Sequence, residues 1–252
     1  MLIAQISDTH ILAPDSGEPA ADSRADNLAH CVAAINLLQP DVVVCTGDTV
    51  QNGQPQEYAR LRELLAPLRY PIYLIPGNRD ANAALRRAFA DFAYLPDGGE
   101  PLCYAIDAYP LRLIGLDSTA DGQRKGFFGI ERQEWLARTL AEQPDRPTLL
   151  FIHHPPFDVG DHYVGGYADS DDSTALADIV NRNRQVVRLL CGHVHWPVLT
   201  CWAGTQSSIM PSVAVDVRKG VEETEAQGRP VFLIHRYTPG KGIVSQQVFA
   251  DH

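Results

Sequence analysis

Seven residues in five short blocks have the side chains of a two-metal centre. They are Asp8 and His10 in Ser7-Asp8-Thr9-His10, Asp48 in Thr46-Gly47-Asp48, Asn78 in Pro76-Gly77-Asn78, His153 in His153-His154-Pro155-Pro156, and His193 and His195 in Gly192-His193-Val194-His195. Each alone has an ordinary reading: Asp48 could be a turn residue or a helix cap, and an H-x-H is common. Five blocks in this order, each just after an apolar run, point to one shared site. Carboxylate, amide and imidazole donors together suit Mn²⁺, Fe²⁺/Fe³⁺, Zn²⁺ or Co²⁺, whereas all-oxygen sets suit Mg²⁺ or Ca²⁺ and thiolates suit structural zinc. A carboxylate has two oxygens and can touch two ions, and Asp48 is the natural bridge because Gly47 lets the backbone approach closely. Two divalent ions less two carboxylates leave roughly +2, which draws a phosphate. Metals about 3.5–4 Å apart can hold a bridging hydroxide for in-line attack on phosphorus.

The elements that must position these residues alternate in type. Strands are expected at 2–6, 42–45 and 72–75, with helices at 26–38, 56–68 and 82–90 between and after them. That is a β-α-β-α-β pattern with parallel neighbouring strands. A hairpin is expected from 102–106 and 111–116, then a helix at 132–142, a strand at 148–152, a helix at 174–182 and a strand at 186–191. From 198 onward the pattern is mostly β, with runs at 198–202, 207–210, 213–217, 231–237 and 243–249. The polar stretches 13–26, 160–173 and 219–229 read as loops that could rim a pocket. Every ligand block follows a strand, and the carboxyl edge of an α/β sheet is where sites form.

With 252 residues the chain is long enough for one large domain, 1–252, whose C-terminal part, about 198–252, is mostly β. A net charge of −10 without a Lys/Arg cluster argues against a nucleic-acid polymer as partner. No stretch is apolar enough to span a bilayer, and the N-terminus lacks the pattern of a targeting segment. Cys31, Cys45, Cys103, Cys191 and Cys201 are odd in number and scattered, which suits reduced thiols in a cytoplasmic protein.

These blocks resemble the calcineurin-like metallophosphoesterases, whose pattern is D-x-H, G-D, G-N-H-D/E, H and G-H-x-H, and the resemblance covers essentially the whole chain. The runs Ile152-His153-His154-Pro155-Pro156-Phe157, Leu190-Cys191-Gly192-His193-Val194-His195, Arg112-Leu113-Ile114-Gly115-Leu116-Asp117 and Phe232-Leu233-Ile234-His235-Arg236 are most similar to class III cyclic nucleotide phosphodiesterases and glycerophosphodiesterases. The resemblance implies a four-layer αββα sandwich of two mixed sheets. It implies one ion on Asp8, His10, Asp48 and His195 and the other on Asp48, Asn78, His153 and His193. It also implies a homo-oligomer, such as a dimer, acting on small phosphodiesters: 3′,5′-cyclic nucleotides or glycerophosphodiesters.

One position departs from the pattern. The residue after Asn78 is Arg79, not histidine, followed by Asp80. Arg79 can bind phosphate but cannot give up a proton near neutral pH. Arg79, Asp80 and His154 are the further candidates around the reacting atoms, His154 as a residue that orients ligands. Phe127, Phe128, Tyr163 and Tyr167 could supply aromatic surface, Asp15, Asp161 or Asp169 could reach the site, and His162, His235 and His252 are poor ligand candidates. The competing readings are a phosphomonoesterase of the same fold, a nuclease, and a non-catalytic interaction module on a decayed site, the last supported only by Arg79.

Overall fold

The computed structural model describes residues 1–96, 98, 101–160 and 166–251, so Asp161, His162, Tyr163 and His252 lie outside the described residues. The first half runs β1 (Leu2–Ile6), α1 (Ala21–Leu38), β2 (Val42–Cys45), α2 (Pro55–Leu65), β3 (Ile72–Leu74) and α3 (Asn82–Ala88). β1, β2 and β3 pair in parallel, as the alternation requires. All four residues of β2 are buried, because helices cover one face of a parallel sheet and a second sheet the other. α1 begins five residues before the expected start at 26. Ala21 and Ala25 extend the buried stripe of Leu28, Val32 and Ile35 back by two turns, and alanine is a weak hydrophobic signal. α2 starts with Pro55 behind a reciprocal cap between Gln54 and Glu57.

The second half runs β4 (Tyr104–Ile106), β5 (Arg112–Leu116), α4 (Ile130–Ala141), β6 (Thr148–Ile152), α5 (Ser170–Arg182), β7 (Val186–Cys191), β8 (Val198–Trp202), β9 (Thr205–Ile209), α6 (Glu223–Ala226), β10 (Val231–Thr238) and β11 (Gly242–Phe249). The run 213–217 is not the strand its alternating valines suggest. Val213 donates its N–H to the Ser7 carbonyl, so this segment crosses the ligand loops instead of joining a ladder.

The strands form two mixed sheets, β11-β10-β1-β2-β3 and β4-β5-β6-β7-β9-β8. Alternation along the second sheet assigns its two faces. Leu113, Leu149, Phe151 and Leu190 join a core with Ile3, Val43 and Phe232 of the first sheet and with α1, α2 and α3. Ile114, Leu116, Leu150 and Ile152 point the other way, into a core with Leu136 and Leu140 of α4 and Leu176 and Val180 of α5. The order of layers is therefore helices, sheet, sheet, helices. The ligand blocks follow β1, β2 and β3 in one sheet and β6 and β7 in the other, so the site lies where the two carboxyl edges meet. No helix among the described residues is long and apolar enough to cross a membrane. All five cysteines are free, four of them buried and Cys201 exposed.

Candidate metal centre

Asp8, His10, Asp48 and His195 each bring one donor atom within 4.8 Å of the others. His195 Nε2 lies 3.2 Å from Asp8 Oδ1 and 3.1 Å from His10 Nε2. His10 Nε2 lies 3.9 Å from Asp48 Oδ2. On the other side of Asp48, His153 Nε2 lies 3.5 Å from Asp48 Oδ1 and 3.3 Å from Asn78 Oδ1. The His193 ring stands 5.1 Å from that of His153. Asp48 thus turns one oxygen toward each cluster, which is the position a bridging carboxylate needs.

The donor set fits cations for a reason visible in its hydrogen bonds. His153 Nδ1 sits 2.8 Å from the Thr46 carbonyl and His195 Nδ1 3.1 Å from the Val217 carbonyl. A carbonyl only accepts, so both Nδ1 atoms carry a proton, and in the neutral ring that binds a metal each Nε2 presents a lone pair. Those lone pairs face the oxygens of Asp48, Asn78 and Asp8. Lone pairs aimed at one another repel unless a positive ion lies between them, and an Nδ1–H held by a carbonyl is what orients metal-binding imidazoles.

The backbone pays locally for this convergence. Asp8, His10, Asp48, His193 and His195 all have φ between 46° and 72°. For residues with a Cβ that conformation costs on the order of 1 kcal/mol or more each, and it clusters at functional sites. Gly47 behaves as its sequence position suggests, with φ +92° and with His153 Nδ1 only 2.6 Å from where a Cβ would stand.

The three other candidates fall at different depths. Arg79 is half-buried and donates its backbone N–H to Asp48 Oδ1 at 2.7 Å, while its guanidinium makes no hydrogen bond or ion pair among the described residues. Asp80 does not pair with it. The Asp80 carboxylate accepts from Thr49 N–H, Gly77 N–H and Tyr58 OH, so it braces the loops after β2 and β3. His154 is buried with both ring nitrogens engaged. Its Nε2–H donates to the Arg124 carbonyl at 3.1 Å, which leaves Nδ1 to accept from Ser118 Oγ at 2.8 Å. Its ring packs 4.5 Å from that of the candidate ligand His193, and its own two nitrogens are both engaged.

Of the aromatic candidates, Phe128 is core, Phe127 stacks under the Arg132 guanidinium, and Tyr167 OH donates to the His154 carbonyl. Asp169 caps α5 through Asp171 N–H, and His235 is bonded to Gln5 and Ser245 between the sheets. Sequence reasoning missed Ser118 and the Val217 carbonyl. A hydroxyl two residues past a strand and a main-chain oxygen carry no distinctive signal.

Burial opposes ionisation of both carboxylates, but the histidines outweigh it. His195 holds Asp8 below the usual carboxylate range and His153 does the same to Asp48. Burial likewise disfavours charge on His153, yet Asp48 wins and raises it to about 9. Burial and His153 together push His193 down to about 3. The cluster is an anionic hollow in which protons take the places that cations would fill.

A model of the calcineurin-like phosphoesterase family matches residues 1–197. The chain is 34% identical over 259 residues to the glycerophosphodiester phosphodiesterase GpdQ of Enterobacter lignolyticus, covering 100% of this chain and 92% of that protein. It is 29% identical over 218 residues to the 3′,5′-cyclic adenosine monophosphate phosphodiesterase CpdA of Escherichia coli K12, covering 86% of this chain and 77% of that one. Among solved structures it resembles a dimetal phosphatase from Danio rerio, with a TM-score of 0.71 at 14% identity over 100% of this chain and 99% of the other.

Proposed function

Because the chain belongs to the calcineurin-like phosphoesterase family, we propose that it is a metal-dependent phosphodiesterase acting on glycerophosphodiesters before 3′,5′-cyclic nucleotides. The observation that carries the reading is the pair of imidazole Nε2 atoms, of His153 and His195, held against carboxylate and amide oxygens by the Thr46 and Val217 carbonyls at Nδ1. The order of substrates rests on the higher identity and fuller coverage of the glycerophosphodiesterase relative.

Asp8, His10, Asp48 and His195 would hold one ion, and Asp48, Asn78, His153 and His193 the other. When bound, two such ions activate water and polarise the phosphoryl group. The chain's own residues then do three things. Asp48 fixes the two halves of the site to each other. Arg79, with its guanidinium unpaired, offers a charge-assisted hydrogen bond to a phosphate oxygen. His154 orients the neighbouring imidazoles and stays neutral, since burial and His193 lower its pKa.

The test is hydrolysis of bis(p-nitrophenyl) phosphate by purified protein, with added Mn²⁺ and after EDTA. Turnover that EDTA abolishes and Mn²⁺ restores supports the reading, and comparison of glycerophosphocholine with 3′,5′-cAMP then ranks the substrates. No turnover with Mn²⁺, Fe²⁺, Zn²⁺ or Co²⁺ would overturn it in favour of an interaction module. Metal analysis of protein as isolated identifies the native pair, and light scattering tests the homodimer.

A further inference from the structure

Arg24 lies in the first turn of α1 and is almost fully buried, yet it belongs to no ligand block. Its guanidinium makes three sets of contacts on three separate segments. Nε and Nη2 bind the Asp216 carboxylate, at 3.0 and 2.7 Å. Nη1 donates to Gln51 Oε1 at 3.0 Å and to the His10 carbonyl at 3.2 Å. Asp216 precedes Val217, whose carbonyl orients His195. Gln51 lies three residues beyond Asp48 and donates its N–H to Ile11, beside His10.

The His10 contact matters because that ring has no other anchor of the usual kind. His195 and His153 are each oriented through Nδ1, but His10 Nδ1 is buried with no hydrogen-bond partner among the described residues. The His10 ring is therefore placed by its backbone, which holds φ at 46°. Arg24 grips that backbone at its carbonyl.

We propose that Arg24 is a positioning residue for the metal centre, setting the spacing of His10 and His195 by holding the His10 carbonyl, Gln51 and Asp216 at once. The inference rests on the reading of these histidines as ligands of one ion. A planar fork with five donors suits the task, and a lysine in its place could keep Asp216 but not all three partners. Outer-shell partners of this kind typically matter about 10- to 100-fold for metal affinity.

The experiment is calorimetric titration of metal-free protein with Mn²⁺, alongside the melting temperature of the metal-free form. Arg24→Met is expected to weaken one of two Mn²⁺ sites about tenfold or more and leave the other nearly unchanged. Arg24→Lys should lie between. Asp216→Asn is the milder variant should Arg24→Met not fold, and it should weaken the same site. Wild-type affinity at both sites in a folded Arg24→Met or Asp216→Asn protein would overturn the proposal, even if melting fell, since the role would then be purely structural. Wild-type protein that binds no Mn²⁺ would overturn the metal reading itself and this inference with it.

Discussion

The backbone N–H of Arg79 donates to Asp48 Oδ1 at 2.7 Å, on the same oxygen that faces His153. The residue that departs from the family pattern therefore holds the Asp48 carboxylate with its main chain, whatever its side chain does. Arg79→His should keep this bond and leave Mn²⁺ affinity unchanged. It should raise kcat/KM on esters with poor leaving groups, about 10²-fold, and hardly at all on nitrophenyl esters, because only histidine can protonate a departing alkoxide near neutral pH. A series of aryl and alkyl diesters graded by leaving-group pKa measures this. An equal change across the series would refute the leaving-group account.

Gly77 has no room for a side chain. A Cβ there would stand 2.3 Å from both Asp48 N and Asp48 Oδ1. Gly77→Ala is expected to push Asp48 out of place, lowering activity about 10²-fold or more and reducing metal content. Overpacking should also lower stability by about 1–3 kcal/mol. Full activity with two bound ions would show that the loop after β3 yields more easily than its contacts suggest.

Ser118 Oγ supplies the donor that keeps His154 in one tautomer. Ser118→Ala leaves a buried imidazole nitrogen unpaired, at about 1–3 kcal/mol. The chemistry should suffer as well, with kcat/KM down about tenfold through loosened packing against His193. Steady-state kinetics together with urea unfolding separate the two effects. A stability loss at unchanged kcat/KM would reduce His154 to a packing residue.

His235 gives a pH dependence away from the ligands. Burial, with Arg188 nearby, lowers its pKa from 6.5 to about 3. The folded chain keeps it neutral while the unfolded chain protonates it below 6.5, so its share of stability is intact above pH 6.5 and is lost as pH falls toward 3. The slope is at most about 1.4 kcal/mol per pH unit. His235→Gln can still bond Gln5 and Ser245 and should flatten that slope. Urea unfolding of metal-free wild type and variant at pH 7 and pH 5 compares them. Parallel losses in the two proteins would mean that His235 is not responsible.

Much of this was legible in the residues themselves. The strand runs 2–6, 42–45, 148–152 and 186–191 appear at those bounds because buried strands are predominantly apolar runs, with Gln5, Thr148 and Arg188 as the polar members here. Helix ends were less legible: α1 begins on alanines, and α5 begins at Ser170, within a stretch that reads as loop. The valines of 213–217 alternate as a strand would, but Ser7 takes the first amide of that segment, a contact about 200 residues away in the chain.

The sequence by itself determined which atoms could bind metal, since donor chemistry belongs to residue type, and it determined that each would follow a strand, since apolar runs mark strands. Only the tertiary structure decided how those atoms meet. Two sheets bring their carboxyl edges together, Asp48 divides its oxygens between two clusters, and five of the candidate ligands adopt a left-handed backbone that none would favour alone. Arg24, Ser118 and the Val217 carbonyl entered the site the same way. Their roles come from distance and direction, and these exist only once the packed core has fixed every segment relative to the others.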